Sequence, residues 1–457
     1  MKALHSALCA LLVVACASAQ KEGRKLTPLE QARVDLGRGQ SESALAVMRE
    51  LHRAAPEDLD IARTYAEAAV SAHHADALVA ETLAANLRRE TAANHYLLAL
   101  AYFDRSADAG GKALEEFQRA IILAPASAEL VYRFGLALVE SERFKDALAP
   151  LERARELGPE RAALYLPLAQ ARARTGDRKG AVAALSTFVA SRPSPKDVAR
   201  ARKIVDALQD PFADFPEAAR GRLNEGLGWL RNADVPQRAV VSFEEILRDY
   251  PDLPSIHALL GLAYQRVDDA GRAVDEFRRA IDLAPDVGKT YLYLGDLYLG
   301  RQRADAAREA FEKAVELNPL LDDGYQRLGD AALDRRNLPV AEHNFRILTT
   351  LEPAEIGPKS KLAAVLQLMG DFGGAEHELR LGLDKDPENL ELKLRMGLLF
   401  TEARQKATTA EQRHRNSDEA AVWLREVLKV QPENVVASRA LALLRPVGAS
   451  EAGAAQP

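Results

Sequence analysis

The sequence predicts an all-α protein built as a solenoid of stacked antiparallel helix pairs. Three observations indicate this fold: a composition dominated by the helix formers Ala, Leu, Arg and Glu, β-branched runs that are short and scattered, and prolines that recur at a constant interval. The chain has 457 residues, of which 47% are hydrophobic and 28% are charged, a balance typical of a foldable protein. One helix pair cannot bury its apolar face alone, so stacking of neighbouring pairs is expected to stabilise the array.

The repeat period is visible first in the prolines. The same interval, about 34 residues, separates Pro125, Pro159 and Pro193, and then Pro251, Pro285, Pro319, Pro353 and Pro387. The segments before these prolines also recur, since Phe277 to Pro285 parallels Phe311 to Pro319. Proline cannot continue a helix, so each one is expected to end the second helix of a pair and to set the turn into the next pair.

Each period also places small residues where two helices would approach closely. In the repeat that begins near residue 288, Gly295 and Ala307 are small, while Tyr298 and Phe311 would fill the space between neighbouring pairs. The remaining members of this pattern are Tyr291, Leu294, Ala314 and Pro319. The pattern resembles the tetratricopeptide repeat. That resemblance implies a right-handed superhelix whose first helices line a concave groove for partner proteins or peptides.

The same register divides the chain into two arrays. We expect about five repeats in residues 25–195, about six in 220–434, a closing helix at 435–446 and a disordered tail at 447–457. Residues 196–219 interrupt the period with an amphipathic helix and a Pro-containing break. We interpret this insert as a helix capping the first array, followed by a joint; the alternative is a hinge between two binding arms. The polar stretch from Thr401 to His414 should extend a helix or a loop.

The N-terminus resembles a secretory signal peptide over residues 1–19. Lys2 is followed by an apolar stretch too short to span a bilayer and by the small-residue cleavage site Ala17-Ser18-Ala19. An alternative is a lipobox ending at Cys16, in which Cys16 is lipidated and the protein is anchored to the outer membrane. Both cysteines, Cys9 and Cys16, lie in this segment, so cleavage after Ala19 would leave a chain without thiols.

Composition and motifs argue against several function classes. The net charge of −6 with intermixed signs does not favour a nucleic-acid partner, and no later apolar stretch is long enough to span a membrane. None of the H-E-x-x-H, G-x-S-x-G, phosphate-loop or dinucleotide motifs occurs. His343 and His377 lie one period apart, which reflects the repeat rather than a metal site. We therefore expect no catalytic residues, no cofactor and no metal.

The repeat phase selects candidate partner-binding residues in the second array. The sixth position of each repeat lies away from the packing positions, and it carries Tyr293, Arg327, Lys361 and Arg395, each one repeat period from the next. Lys289 and Gln326 are polar neighbours on the same flank. These residues predict a polar groove with a basic stripe, suited to an acidic or carboxylate-bearing peptide. The alternative is an ordinary solvated surface.

The first array differs in this groove. Arg133 holds the sixth position of its repeat, with Tyr102 and Tyr132 in comparable places. Aromatic residues there indicate either a site for an apolar segment or internal packing of the superhelix. The ninth positions carry no asparagine, which argues against the carboxylate clamp that some members of the family use.

These features lead to a main functional hypothesis and two alternatives. The main one is a non-catalytic interaction scaffold or adaptor in the bacterial cell envelope, periplasmic or secreted, that binds partner proteins or peptides. The first alternative is an outer-membrane lipoprotein that assists assembly of a pilus, a secretion system or an exopolysaccharide exporter. The second is an accessory subunit of an envelope enzyme. The oligomeric state stays open at this level.

Overall fold

The computed structural model describes residues 25–103, 110–158, 162–213, 215–232 and 235–444, and these ranges form 24 α-helices, two short 3-10 turns and no β-strand. The all-α repeat fold predicted from the sequence is confirmed. The chain divides between Ser194 and Pro195 into two compact units, called unit 1 and unit 2. The described residues do not include the predicted signal peptide 1–19, which contains Cys16, or the predicted tail 447–457.

Unit 1 contains five helix pairs in the part of the chain described. The pairs are α1 Pro28–Gly37 with α2 Ser41–Ala54, α3 Leu59–Ser71 with α4 Ala75–Asn86, α5 Ala92–Phe103 with α6 Gly110–Leu123, α7 Ala128–Glu140 with α8 Phe144–Leu157, and α9 Tyr165–Arg174 with α10 Arg178–Ala190. Polar side chains cap several first helices. Asp58 accepts from Ile61 N and Ser127 accepts from Leu130 N, which satisfies backbone donors that the helix itself leaves free.

Unit 2 begins with a single helix, α11 Pro195–Leu208, and continues with six pairs. The pairs are α12 Arg220–Arg231 with α13 Pro236–Asp249, α14 Pro254–Arg266 with α15 Ala270–Leu283, α16 Gly288–Gly300 with α17 Ala304–Leu317, α18 Asp322–Asp334 with α19 Leu338–Leu351, α20 Ile356–Met369 with α21 Phe372–Leu383, and α22 Leu390–Lys406 with α23 Ala410–Val430. Helix α24, Val435–Leu443, follows the last pair. The polar stretch from Thr401 to His414 extends both α22 and α23.

The packing within each pair explains the repeated small residues. In unit 2 a phenylalanine of the second helix lies against a glycine of the first helix, as Phe311 lies against Gly295. A Cβ atom added at Gly295 would stand 2.5 Å from Phe311 Cε1, so only glycine lets these helices approach to this distance. The other pairs of this kind are Gly226 with Phe243, Gly261 with Phe277, and Gly329 with Phe345. All four phenylalanine rings are fully buried.

The turn between the helices has the same left-handed residue in eight of the described pairs, which the residue types do not reveal. Left-handed φ angles between 57° and 63° occur at His73, Glu142, Asp268, Gln302 and Arg336. Glycine takes the equivalent place at Gly39, Gly176 and Gly370. Non-glycine residues rarely adopt this conformation, so the packed pairs on either side impose it.

Helix α11 lies in the insert for which we predict a cap and a joint. It belongs to unit 2, and Arg202 and Gln209 contact other helices of that unit. The break after α11 also contributes to packing. Phe212 and Phe215 form an edge-on aromatic pair with ring centroids 5.7 Å apart, and Phe215 lies in the hydrophobic core of unit 2.

Candidate functional site

The predicted row of cations in unit 2 lies on its first helices and is paired with carboxylates. Arg327 Nε on α18 donates to Asp296 Oδ1 on α16 at 2.7 Å. Lys361 Nζ on α20 donates to Asp330 Oδ1 on α18 at 2.6 Å. In both cases the acid stands 31 residues before the base, so each pair joins the first helices of consecutive repeats.

Arg395 pairs differently. Its Nε and Nη2 donate to Glu391 Oε1 on the same helix, at 3.0 and 2.9 Å. The preceding repeat holds Ala364 where the other repeats hold Asp296 and Asp330, so no carboxylate stands there. Carboxylates therefore offset the cations of the predicted basic stripe. A ligand carboxylate would have to replace these acids, and half-exposed pairs of this kind contribute only about 0–1 kcal/mol each.

Tyr293 and Lys289, the other predicted residues of this surface, line a cavity of about 660 Å³. First helices α12, α14 and α16 form one part of its wall, and the end of α11 with the turn after it forms another. The ring centroids of Tyr293 and Phe277 are 6.2 Å apart, and this contact holds the Tyr293 ring in place. The apolar wall includes Val205, Phe212, Leu227, Ala258, Leu259 and Val287. A largely apolar cavity of this size with a few polar groups is typical of a binding site. Gln326 is half-buried on α18 and lies outside the cavity wall.

The position of α11 at this surface was not predicted from the sequence. Gln209 Nε2 donates to the backbone oxygens of Asp286 and Leu317 at 3.0 and 2.8 Å. Arg202 Nη2 donates to Asp322 Oδ2 at 3.0 Å. The available signal was the apolar side of the insert, because Val198, Ala201, Val205 and Leu208 follow helical spacing and are all buried.

The predicted residues of unit 1 are mostly internal. Tyr132 is 2% exposed, and its hydroxyl donates to Ala163 O at 3.4 Å. Arg133 donates through Nε to Glu129 Oε1 at 2.8 Å, and its side chain is 12% exposed. Tyr102 is half-buried, with Lys112 Nζ 6.0 Å from the centre of its ring. Tyr132 and Arg133 therefore contribute to packing and are removed from the candidate binding surface.

Arg133 belongs to a buried charged group on the first helices of unit 1. We call Arg63, Glu67, Tyr96, Glu129 and Arg133 the Arg133 cluster. Tyr96 is fully buried, and its hydroxyl donates to Glu129 Oε1 at 3.1 Å. Burial alone would lower the pKa of Arg133, but Tyr96 and Glu129 outweigh burial and the pKa is raised, so the guanidinium stays charged.

A comparison with protein families matched the tetratricopeptide repeat at residues 132–197 and 258–321. One matched segment lies mainly in unit 1 and the other in unit 2, and the second contains the Gly261–Phe277 and Gly295–Phe311 contacts described above. The chain contains tetratricopeptide repeats in both units. Arrays of tetratricopeptide repeats generally bind proteins or peptides and are generally not catalytic.

Solved structures of similar repeat architecture cover different shares of the chain. YrrB, described as a tetratricopeptide repeat protein with an unusual peptide-binding site, is 16% identical over 43% of this chain and 96% of its own, with a TM-score of 0.38. PilF of Pseudomonas aeruginosa is 18% identical over 50% and 97%, with a TM-score of 0.39. A complex of Cut9 and Hcn1 from the APC/C is 13% identical over 92% and 96%, with a TM-score of 0.34. A comparison with curated protein sequences gave no match.

Two buried histidines of the tetratricopeptide repeats approach carboxylates inside helix pairs. His95 is 3% exposed, and its Nδ1 lies 2.5 Å from Glu116 Oε2 on the second helix of the pair. His257 Nδ1 lies 2.6 Å from Glu276 Oε2 in the same way. Within the described ranges, no group of three or more His, Cys, Asp or Glu is arranged to hold a metal ion. None of the helices described has the length and apolar content needed to cross a bilayer.

Proposed function

We propose that this chain is a non-catalytic scaffold of the bacterial cell envelope that binds a segment of a partner protein on the first-helix surface of unit 2. The observation that carries the proposal is the cavity of about 660 Å³ where Tyr293 and Lys289 meet an apolar wall. An apolar recess with a polar rim can bury one or two side chains of a partner and orient its backbone. The ion pairs at Arg327 and Lys361 extend the polar part of the same helix surface.

The binding proposal is tested by capture of partners from an envelope extract. The bait is the full chain, compared with Tyr293→Ala and with the matched control Tyr291→Ala. Tyr291 lies on the same helix, but its hydroxyl donates to Pro285 O at 3.2 Å and it does not line the cavity. We expect a specific partner that Tyr293→Ala loses and Tyr291→Ala retains. Capture of nothing above background, or equal loss with both variants at equal thermal stability, would contradict the proposal.

The envelope location rests on residues 1–19 and is tested separately. Mass spectrometry of the protein from its native membrane and soluble fractions identifies the mature N-terminus. Cleavage after Ala19 gives a chain that begins at Gln20, whereas the lipoprotein alternative gives a lipid-modified Cys16 that Cys16→Ala abolishes. An unprocessed Met1 terminus would refute export.

A further inference from the structure

We propose that the surface of unit 2 under α11 is a binding surface for an amphipathic helix that carries an arginine, and that α11 occupies this surface in the free protein. The inference deepens the proposed function and rests on it, because it names both the kind of partner segment and the competitor that regulates access. Four observations lead to it.

First, α11 is held by side chains that bind the ends of other helices. Gln209 Nε2 donates to Leu317 O at the end of α17, and Arg202 Nη2 approaches Leu351 O at the end of α19 at 3.4 Å. The last carbonyl groups of an α-helix have no partner within the helix and carry partial negative charge. An amide and a guanidinium on a docked helix therefore satisfy acceptors that the repeats leave open.

Second, the spacing of these contacts matches the repeat. Arg202 lies within α11 and Gln209 directly follows its last residue, Leu208. Their separation of seven residues corresponds to two turns, or about 10.5 Å along the helix axis. Their acceptors, Leu317 O and Leu351 O, are one repeat period apart, at equivalent places in consecutive repeats. Any helix with two donor side chains seven residues apart can make the same two contacts.

Third, the arginine subsite is acidic. Arg202 is paired with Asp322, Glu352 lies close to that carboxylate, and Glu355 lies close to Glu352. Burial and the neighbouring Asp322 raise the pKa of Glu352, while Arg202 acts in the opposite direction. Carboxylates held this near each other favour a cation between them, and a planar guanidinium can donate to an acid and a carbonyl at once.

Fourth, α11 fills the surface incompletely. The cavity of about 660 Å³ lies beside Val205 at the C-terminal half of the helix, whereas well-packed helices leave few voids. Val205 is three residues after Arg202, on the buried side. A partner helix with a larger apolar residue three positions after its arginine would fill part of the cavity and bind more tightly than α11. Such a partner would displace α11.

The test uses a labelled peptide with the sequence of residues 195–212, in which Val205 is replaced by Leu. Its binding to the full chain is measured by fluorescence anisotropy, with circular dichroism confirming that each protein variant is folded. The double variant Arg202→Ala, Gln209→Ala should release α11 and bind the peptide at least about tenfold more tightly than the unmodified chain, the effect of removing roughly one to two hydrogen bonds from the competitor. A control peptide that also carries Arg202→Ala should bind the double variant about tenfold more weakly.

Equal affinity of both proteins for the peptide, equal affinity for both peptides, or no binding at all would overturn the inference. Hydrogen exchange on the unmodified chain gives a second measurement, in which the amides of α11 should exchange faster than those of α14 and α16. Equal protection of the three helices would also count against a displaceable α11. Capture of a partner from extract is independent of the peptide, so failed capture with intact peptide binding would refute the proposed function, whereas successful capture without peptide binding would refute only this inference.

Discussion

Both units place a cation at the sixth repeat position of a first helix, but the surroundings of that cation differ. In unit 1 the sixth-position cation, Arg133, has a side chain that is 12% exposed. In unit 2 the equivalent Arg327 and Lys361 are 39% and 38% exposed. Repeat phase thus determines the helix surface on which a residue lies, and the neighbouring helices determine whether water reaches it.

The location of the acidic partner accounts for the difference. Glu129 lies on the same helix as Arg133 and also accepts from the buried Tyr96 of the preceding first helix, so the cation and its acid are drawn into the array together. The partners of Arg327 and Lys361 lie on the preceding first helix, and their side chains are 32% and 38% exposed. The surface of unit 1 is closed by its own side chains, whereas that of unit 2 keeps polar groups and a cavity in reach of a ligand.

The largest expected effect comes from removing the buried cation. Arg133→Ala leaves Glu129 and Tyr96 without their charged partner and should lower the free energy of unfolding of unit 1 by about 3 kcal/mol. Arg327→Ala should lower the free energy of unfolding of unit 2 by less than about 1 kcal/mol. Both tryptophans, Trp229 and Trp423, lie in unit 2, so their fluorescence follows unit 2 during urea unfolding while circular dichroism follows both units.

Arg133→Ala should therefore shift a circular dichroism transition and leave the tryptophan transition in place. Equal and small effects of the two substitutions would show that Arg133 is no more buried in solution than Arg327. The difference in burial between the first-helix surfaces of the two units would then be wrong.

A smaller effect is expected at the helix contacts, where the residue that meets the glycine is Phe311 in one pair of unit 2 and Leu151 in one pair of unit 1. An added Cβ at Gly295 would stand 2.5 Å from the Phe311 ring, and one at Gly135 would stand 2.7 Å from the Leu151 side chain. A leucine can change rotamer, but a buried ring cannot move aside. In urea unfolding, Gly295→Ala should lower the free energy of unfolding by about 2–3 kcal/mol, and Gly135→Ala should lower it by about 1 kcal/mol.

Gly228 supplies the control for this comparison. It lies within α12 with nothing within 4 Å of an added Cβ, so Gly228→Ala should stabilise unit 2 by about 0.5–1 kcal/mol. A loss of stability at Gly228, or a larger cost at Gly135 than at Gly295, would contradict this explanation of the helix contacts.

The smallest effect concerns the ion pairs between repeats. A double-mutant cycle on Asp296 and Arg327 should give a coupling free energy of about 0.2–1 kcal/mol that decreases with added salt. The same cycle on Glu129 and Arg133 should give a larger coupling that salt changes little, because those side chains are screened less by water. Salt-independent coupling at Asp296 and Arg327 would remove the distinction between an open and a closed surface.

The repeated helix pairs could be predicted from the sequence, but the features that depart from the repeat could not. Proline spacing and small residues such as Gly295 revealed the helix pairs, because the same packing constraint recurs in every period. The burial of Arg133 could not be read in this way, since it depends on Tyr96 and Glu129, which occupy different repeat positions. The docking of α11 depends on Arg202 and Gln209 meeting backbone carbonyls, which no side-chain pattern displays. The left-handed turn at Gln302 follows from packing rather than from a residue type that prefers it.

The central claim is that a partner contacts the first-helix surface of unit 2, and photocrosslinking in producing cells tests it most directly. The photoreactive residue p-benzoylphenylalanine is placed at Tyr293 or, as a control, at Val241, which is 53% exposed on the second helix α13. We expect a discrete adduct of higher mass from position 293 and none from position 241. No adduct at position 293, or the same adduct at both positions, would contradict the claim.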